Sequence, residues 1–134
     1  MEENSIPVLD SILNSTKKFL GIQPEDSSFN NDLIPLINTA ISVAMQIGIG
    51  KDPTFAISGE DEVWSDFVDD FSNIEMLKTY IGLQTKLLFD PPSHAAGIEV
   101  INKHIQMLEF RLNIQVDTGE NSAWRNDSTE DRNG

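Results

Sequence analysis

The residues best equipped for chemistry are the carboxylates between residues 60 and 70. Glu60, Asp61, Glu62, Asp66, Asp69 and Asp70 crowd a segment with no basic side chain from Glu60 to Glu75. Clustered carboxylates can hold a divalent cation or, where their environments differ, divide the work of a general acid and a general base. The spacing here serves neither use. A calcium loop needs Asp-x-Asn/Asp-x-Asp/Asn-Gly and a distant Glu, and the order Asp66, Asp69, Asp70 lacks that pattern. Adventitious cation binding is all that the pattern supports. His94 and His104 stand ten apart without a His-Glu zinc motif, and read as a residue of an interhelical loop and a residue of a helix face. The patterns GxxxxGK(S/T), GxGxxG and GxSxG are absent, and Gly48-x-Gly50 is too short and follows a helix instead of a strand. Without cysteine there are no disulfides, thiolate metal sites or thiol nucleophiles. No catalytic residue, cofactor or metal site is expected.

Charge narrows the partners. With 22 acidic and 9 basic residues the net charge is -13, so attraction to a phosphate backbone is a poor expectation and a sequence-reading DNA binder is disfavoured. A chain of 134 residues that is 39% hydrophobic can bury one modest core, which makes one domain the default. Met1-Glu2-Glu3 opens without the basic start of a signal peptide, and the most apolar run, Leu33 to Ile49, is broken by Asn38, Thr39, Ser42 and Gln46. The expectation is a soluble protein with no membrane segment, for which an intracellular site of synthesis fits.

The elements that must position these groups are organised around the stretch from Asn73 to Asp117. Pro91 and Pro92 cannot continue a helix, so one helix stops near Phe89, and Ser93 can cap the next. In that next helix Ile98, Ile101, Ile105, Leu108 and Leu112 recur three and four apart, forming one stripe that Val100, Met107, Phe110 and Ile114 widen. Glu99 and Lys103, in the favourable acid-before-base spacing, lie with Gln106 and Asn113 on a solvated face. The helix before the prolines is apolar on two sides. Ile74, Leu77, Ile81 and Leu88 form one stripe and Met76, Tyr80, Leu83 and Leu87 another, so this helix needs two neighbours.

Upstream, Leu9, Ile12, Leu13, Thr16, Phe19 and Leu20 predict a helix over 7–20, closed by Gly21 with Lys17 and Lys18 at its carbonyl end. Residues 22–30 read as a loop. A second helix is expected over 31–47, starting at Asn31 or Asp32 so that Pro35 stays inside the first turn, and ending at Gly48-Ile49-Gly50. Ser58-Gly59-Glu60-Asp61 has the character of a capping box before a short acidic helix over 60–71, with Val63, Trp64, Phe67, Val68 and Phe71 on one face. The tail from Asp117 is too polar to fold alone, with Ala123 and Trp124 its only apolar side chains, and its Trp124-Arg125 pair is of the types that anchor interfaces.

Three runs carry a resemblance: Leu77-Lys78-Thr79-Tyr80, Leu87-Leu88-Phe89-Asp90-Pro91-Pro92-Ser93 and Leu108-Glu109-Phe110-Arg111-Leu112-Asn113. In this order they resemble the head-tail connector (adaptor) proteins of long-tailed bacteriophages, and Trp64-Ser65-Asp66-Phe67 extends the likeness upstream. The resemblance covers most of 8–117. It implies a structural virion protein, made in the host cytoplasm, that assembles as a dodecameric ring below the portal. Such a ring extends the DNA channel, passes DNA without reading its sequence, and receives the tail or a stopper protein.

The expected fold is all-α: a small bundle of four main helices over 7–20, 31–47, 73–89 and 93–114, with a long loop carrying the short acidic helix. Residues 1–116 form the helical connector domain, and 117–134 a polar tail that orders on binding. Met76, Tyr80, Leu83 and Leu87 are expected to meet an adjacent protomer. The carboxylates Glu60, Asp61, Glu62, Asp66, Asp69 and Asp70 are candidates to line the channel, where they would repel phosphate. Trp124 and Arg125 are expected to grip the portal, since related connectors use C-terminal extensions for this. Two readings of other classes stand beside the connector. One is a small acidic helical module that regulates by occupying a basic partner surface; the other is an enzyme using Asp66 to Asp70.

Overall fold

Two glycines decide where the first long helices stop. The computed structural model describes residues 10–69 and 73–118, and orders them as α1 (Ile12–Phe19), α2 (Asn30–Gln46), α3 (Trp64–Phe67), α4 (Ile74–Phe89) and α5 (Ala95–Thr118). After α1, Gly21 adopts φ +84°, a left-handed conformation that L side chains resist, and after α2 Gly48 adopts φ +98°. Each turn closes with a Schellman pair of hydrogen bonds. Ile22 N–H donates to the Lys17 carbonyl (2.8 Å) and Gly21 N–H to Lys18 (3.0 Å); Ile49 N–H donates to Ala44 (3.1 Å) and Gly48 N–H to Met45 (3.0 Å). Both stops stand where the sequence puts them.

The helix starts differ from expectation. α1 begins at Ile12 rather than Pro7, because Ser11 takes the cap: its Oγ accepts from Asn14 N–H at 3.2 Å. Ile12 N–H donates to the Glu62 carbonyl at 3.0 Å, tying this end of the helix to the loop before α3. α2 begins at Asn30, which leaves Pro35 in the second turn instead of the first. The helix tolerates it because Pro35 and Asn31, whose carbonyl lacks its usual donor, are both exposed to water. The cap position of α5 is His94, not Ser93, with Ile98 N–H donating to the His94 carbonyl at 3.2 Å.

The acidic helix expected over 60–71 shrinks to α3. Asp66 folds back so that its Oδ2 accepts from Val63 N–H (2.9 Å), while Asp66 N–H donates to the Val63 carbonyl (2.9 Å), a reciprocal cap centred on Val63 rather than Ser58. One turn later Val68 is already extended at φ -133° and ψ 148°. Its side chain is buried, and the Phe67 carbonyl accepts from Lys51 N–H at 3.1 Å. Extended backbone lets residue 68 join the core and the 51–57 loop together, which a continued helix would not.

α4 is the centre of the bundle and packs against α1, α2 and α5. Leu77, Tyr80 and Ile81 are fully buried there, met by Leu33, Ile37, Ile41 and Ala44 of α2 and by Ile105, Leu108 and Leu112 of α5. Each such side chain contributes about 1.5–3 kcal/mol when withdrawn from water. The expected core stripe of α5 is therefore the one that faces α4. The subunit-interface expectation on α4 requires correction. Tyr80 (0% exposed) and Leu83 (7%) lie in the core of the single chain, and Met76 and Leu87 pack against that core. Tyr80 and Leu83 of the second stripe are internal because α5 of the same chain covers them, while Leu88 of the first stripe is exposed.

Candidate functional site

The loop between α2 and α4 is built by the residues that first suggested chemistry. Asn38 on α2 reaches across to Ile57, donating from Nδ2 to its carbonyl (3.0 Å) and accepting its N–H at Oδ1 (2.8 Å), so one amide side chain mimics a strand partner for an extended segment. Trp64 is buried with its Nε1–H donating to Ser15 Oγ at 2.9 Å, and Phe67 stacks on Phe55 with centroids 5.3 Å apart. In Trp64-Ser65-Asp66-Phe67, then, the two aromatic residues anchor the loop and the aspartate caps α3.

Of the six acidic candidates, Glu62, Asp66 and Asp69 bond within this loop and Glu60 bonds to α1. Glu60 accepts from Asn14 Nδ2 at 3.3 Å. Glu62 accepts from Ser58 N–H (3.0 Å) and Oγ (2.8 Å) and from Gly59 N–H (3.4 Å). Partial burial works against its ionisation, but the donors from Ser58 and Gly59 together outweigh it and hold the Glu62 carboxyl below its usual range. Asp69 pairs with Lys51 Nζ at 2.7 Å in an exposed ion pair, while Asp61 is exposed. Asp70 lies outside the described residues, as do Phe71, Trp124 and Arg125. His94 and His104 are exposed, and no three metal-ligating side chains gather among the described residues.

Lys17 stands in the last turn of α1, where the helix-dipole argument puts it, but not on the surface. It is fully buried, and its Nζ donates to the Pro24 carbonyl at 2.9 Å, stitching the turn after α1 to the helix. The signal was present in the sequence: position 17 is four beyond Leu13 and so falls on the apolar stripe of α1. Lys18 beside it is exposed.

The surface carries two further features. On α5, Val100 (67% exposed), Met107 (44%), Phe110 (68%) and Ile114 (45%) point away from the bundle, opposite the stripe that packs on α4. They broaden no core; they form a separate apolar face with seven-residue spacing at 100, 107 and 114. A groove runs along the other side, between α1 and α4. It holds a cavity of about 360 Å³ bordered by Asp10, Trp64, Val68 and Lys78, and one of about 250 Å³ bordered by Lys18, Phe19, Glu75 and Thr79.

A family model described as phage connector protein matches residues 12–119, from the first residue of α1 past the end of α5. The chain belongs to the phage connector protein family. No curated protein and no solved structure matches it. The match takes in both the Tyr80 and the Glu109 runs that carry the sequence resemblance, and the connector family is structural rather than enzymatic. No described helix is long and apolar enough to cross a membrane. As a connector, the protein is a component of the phage particle whose working surfaces are contacts with other phage structural proteins.

Proposed function

We propose that this connector is the head-tail adaptor of a long-tailed phage, assembling as a ring of twelve copies beneath the portal and extending the DNA channel toward the tail or stopper. The observation that carries the reading is the family match over residues 12–119, which spans every described helix. The apolar face of α5 supports it, because Met107, Phe110 and Ile114 expose adjoining apolar side chains, and such a patch on a small acidic domain marks a contact surface. In this reading residues 1–116 are the ring-forming domain and 117–134 the portal-docking tail, with Trp124 as its buried anchor and Arg125 bonding a portal carboxylate. Ordering that tail costs on the order of 1–2 kcal/mol per residue, so a well-buried anchor is required. The net charge of -13 suits a channel wall that repels phosphate, with Asp61 and the neighbouring carboxylates Glu60, Glu62, Asp66, Asp69 and Asp70 as the lumen candidates.

Electron microscopy of the full chain mixed with its phage's portal protein tests the proposal. The expected result is a ring with a central hole stacked on the portal, and truncation at Asp117 is expected to weaken that attachment while leaving the helical domain folded. A chain that stays monomeric with the portal present would overturn it. A truncated chain that binds the portal as tightly as the full one would move docking to the helices or the 50–72 loop.

A further inference from the structure

A contact between identical subunits that closes a ring must join two different patches of the same molecule, whereas one patch meeting itself gives only a two-fold dimer. The structure carries two apolar patches, on opposite sides of α4. One is the outward face of α5, made by Val100, Met107, Phe110 and Ile114. The other is made by Phe19 (42% exposed) and Phe29 (39%).

Their placement follows from helix geometry. α5 meets α4 where Tyr80 hydrogen-bonds Glu109, and α1 meets it where Phe19 lies so close to Gly82 that a Cβ there would stand 2.5 Å from the Phe19 ring. Positions 80 and 82 are about 200° apart around a helix, so α1 and α5 flank α4 on opposite sides. Phe29 packs edge-on against Phe89, at 5.5 Å between centroids. Position 89 is seven residues, and so only about 20°, from position 82. Phe19 and Phe29 therefore sit along the same side of α4.

Charges at the ends of the two patches are complementary, and Lys103 and His104 stand between Val100 and Met107 on the α5 face. Exposed Glu99 lies beside Val100 at one end of the α5 face, and exposed Arg111 beside Phe110 toward the other. On the second patch, exposed Lys18 borders Phe19 and exposed Asp90 follows Phe89. Glu99 and Arg111 are about 18 Å apart along α5, and positions 79 to 90 of α4, from the Lys18 end to Asp90, span about 16 Å. Laid along the second patch, α5 brings Glu99 to Lys18 and Arg111 to Asp90.

We infer that the outward face of α5 packs on the Phe19–Phe29 patch of a second copy of this chain, head to tail. This deepens the ring reading and rests on it for closure, but the pairwise contact is testable separately. Because the chain has no cysteine, introduced thiols are the only ones present. The full chain carrying Phe110→Cys and Phe29→Cys, which that register brings together at the Asp90 end, is expected to give a ladder of dimers, trimers and longer species when oxidised at high concentration with and without portal protein. Phe110→Cys paired with Ser42→Cys on the exposed side of α2 is expected to stay largely unlinked.

Phe110→Asp is expected to weaken self-association about 30-fold by sedimentation, as loss of a central apolar anchor does. Dimers formed by Phe110→Cys alone would show the α5 face meeting itself and would overturn the inference. So would an unlinked double variant in which the Phe110→Cys thiol resists labelling in the monomer, because the face would then be covered by residues 1–9 or 119–134 of its own chain. An unlinked double variant with a reactive thiol would give the face to a different protein, which also overturns it. Rings in the microscope without the cross-link would refute this contact and leave the ring reading standing. A ladder without closed rings would support the contact and refute ring closure.

Discussion

Tyr80 of α4 donates its phenolic proton to the Glu109 carboxylate of α5 at 2.9 Å, and the same oxygen accepts from Gln84 Nε2 at 3.2 Å. The bond joins the two runs that carry the family resemblance, Leu77 to Tyr80 and Leu108 to Asn113, across the hinge at Asp90-Pro91-Pro92. A hydrogen bond to a charged acceptor in a part-buried site contributes about 1.5–3 kcal/mol. Tyr80→Phe keeps the ring and removes the bond, leaving Glu109 without this donor. Thermal unfolding is expected to show a loss in that range, several degrees in Tm for a domain of this size.

The same pair sets a pH dependence at the alkaline end. Burial pushes the Tyr80 phenol above its ordinary value; the Gln84 donor opposes the rise, and the Glu109 carboxylate adds to it. A folded-state value above the unfolded one means that the folded chain keeps its proton longer. The contribution to stability is complete below the ordinary tyrosine pKa of about 10 and is lost as pH rises beyond it toward the folded value. Denaturant titrations from neutral pH upward are expected to show wild type losing more stability above this point than Tyr80→Phe does.

Two residues two positions apart on α5 are expected to behave in opposite ways. Leu112 is fully buried, and Leu112→Ala leaves a cavity costing about 2–5 kcal/mol. Phe110 is 68% exposed, and Phe110→Ser is expected to change monomer stability by less than about 0.5 kcal/mol. Urea unfolding of both variants checks the pair. A large loss from Phe110→Ser would mean that the face is covered within the monomer.

At Lys17 the prediction separates packing from polarity. Its stem fills the space under the α1 turn while its ammonium bonds the Pro24 carbonyl. Lys17→Met keeps most of the volume and loses only the bond, for about 1 kcal/mol, whereas Lys17→Ala also opens a void and is expected to cost about 2–4 kcal/mol. Equal losses from the two variants, measured in urea, would show that packing contributes little.

For the long loop, the expected keystone is Asn38. Asn38→Ala removes both bonds to Ile57 and leaves that residue's N–H and carbonyl unpaired, at about 1–3 kcal/mol. Hydrogen exchange is expected to speed up at Ile57 N–H, with the protection of α4 and α5 unchanged. A variant whose helices lose protection equally would show that the loop and bundle unfold together.

What the sequence determined by itself is largely local. Periodicity in 98–112, the Asp90-Pro91-Pro92 break and the glycines at 21 and 48 each act within a few residues, and each reappears in the structure. The resemblance to connectors was legible for a similar reason, since its runs flank that break. What only tertiary structure decided is which apolar stripe meets which neighbour. Val100, Met107, Phe110 and Ile114 are as apolar as the core stripe of α5, and the two-sided α4 fits either a second subunit or a third helix of its own chain. Tyr80 and Leu83 became core residues because the hinge folds α5 back over them, which left the other side of α5 without a neighbour among the other described helices. Lys17, Asn38 and the α3 carboxylates were decided in the same way. A polar side chain takes the partner that the fold brings within about 3 Å, and for these residues most partners come from loops whose path no helical period records.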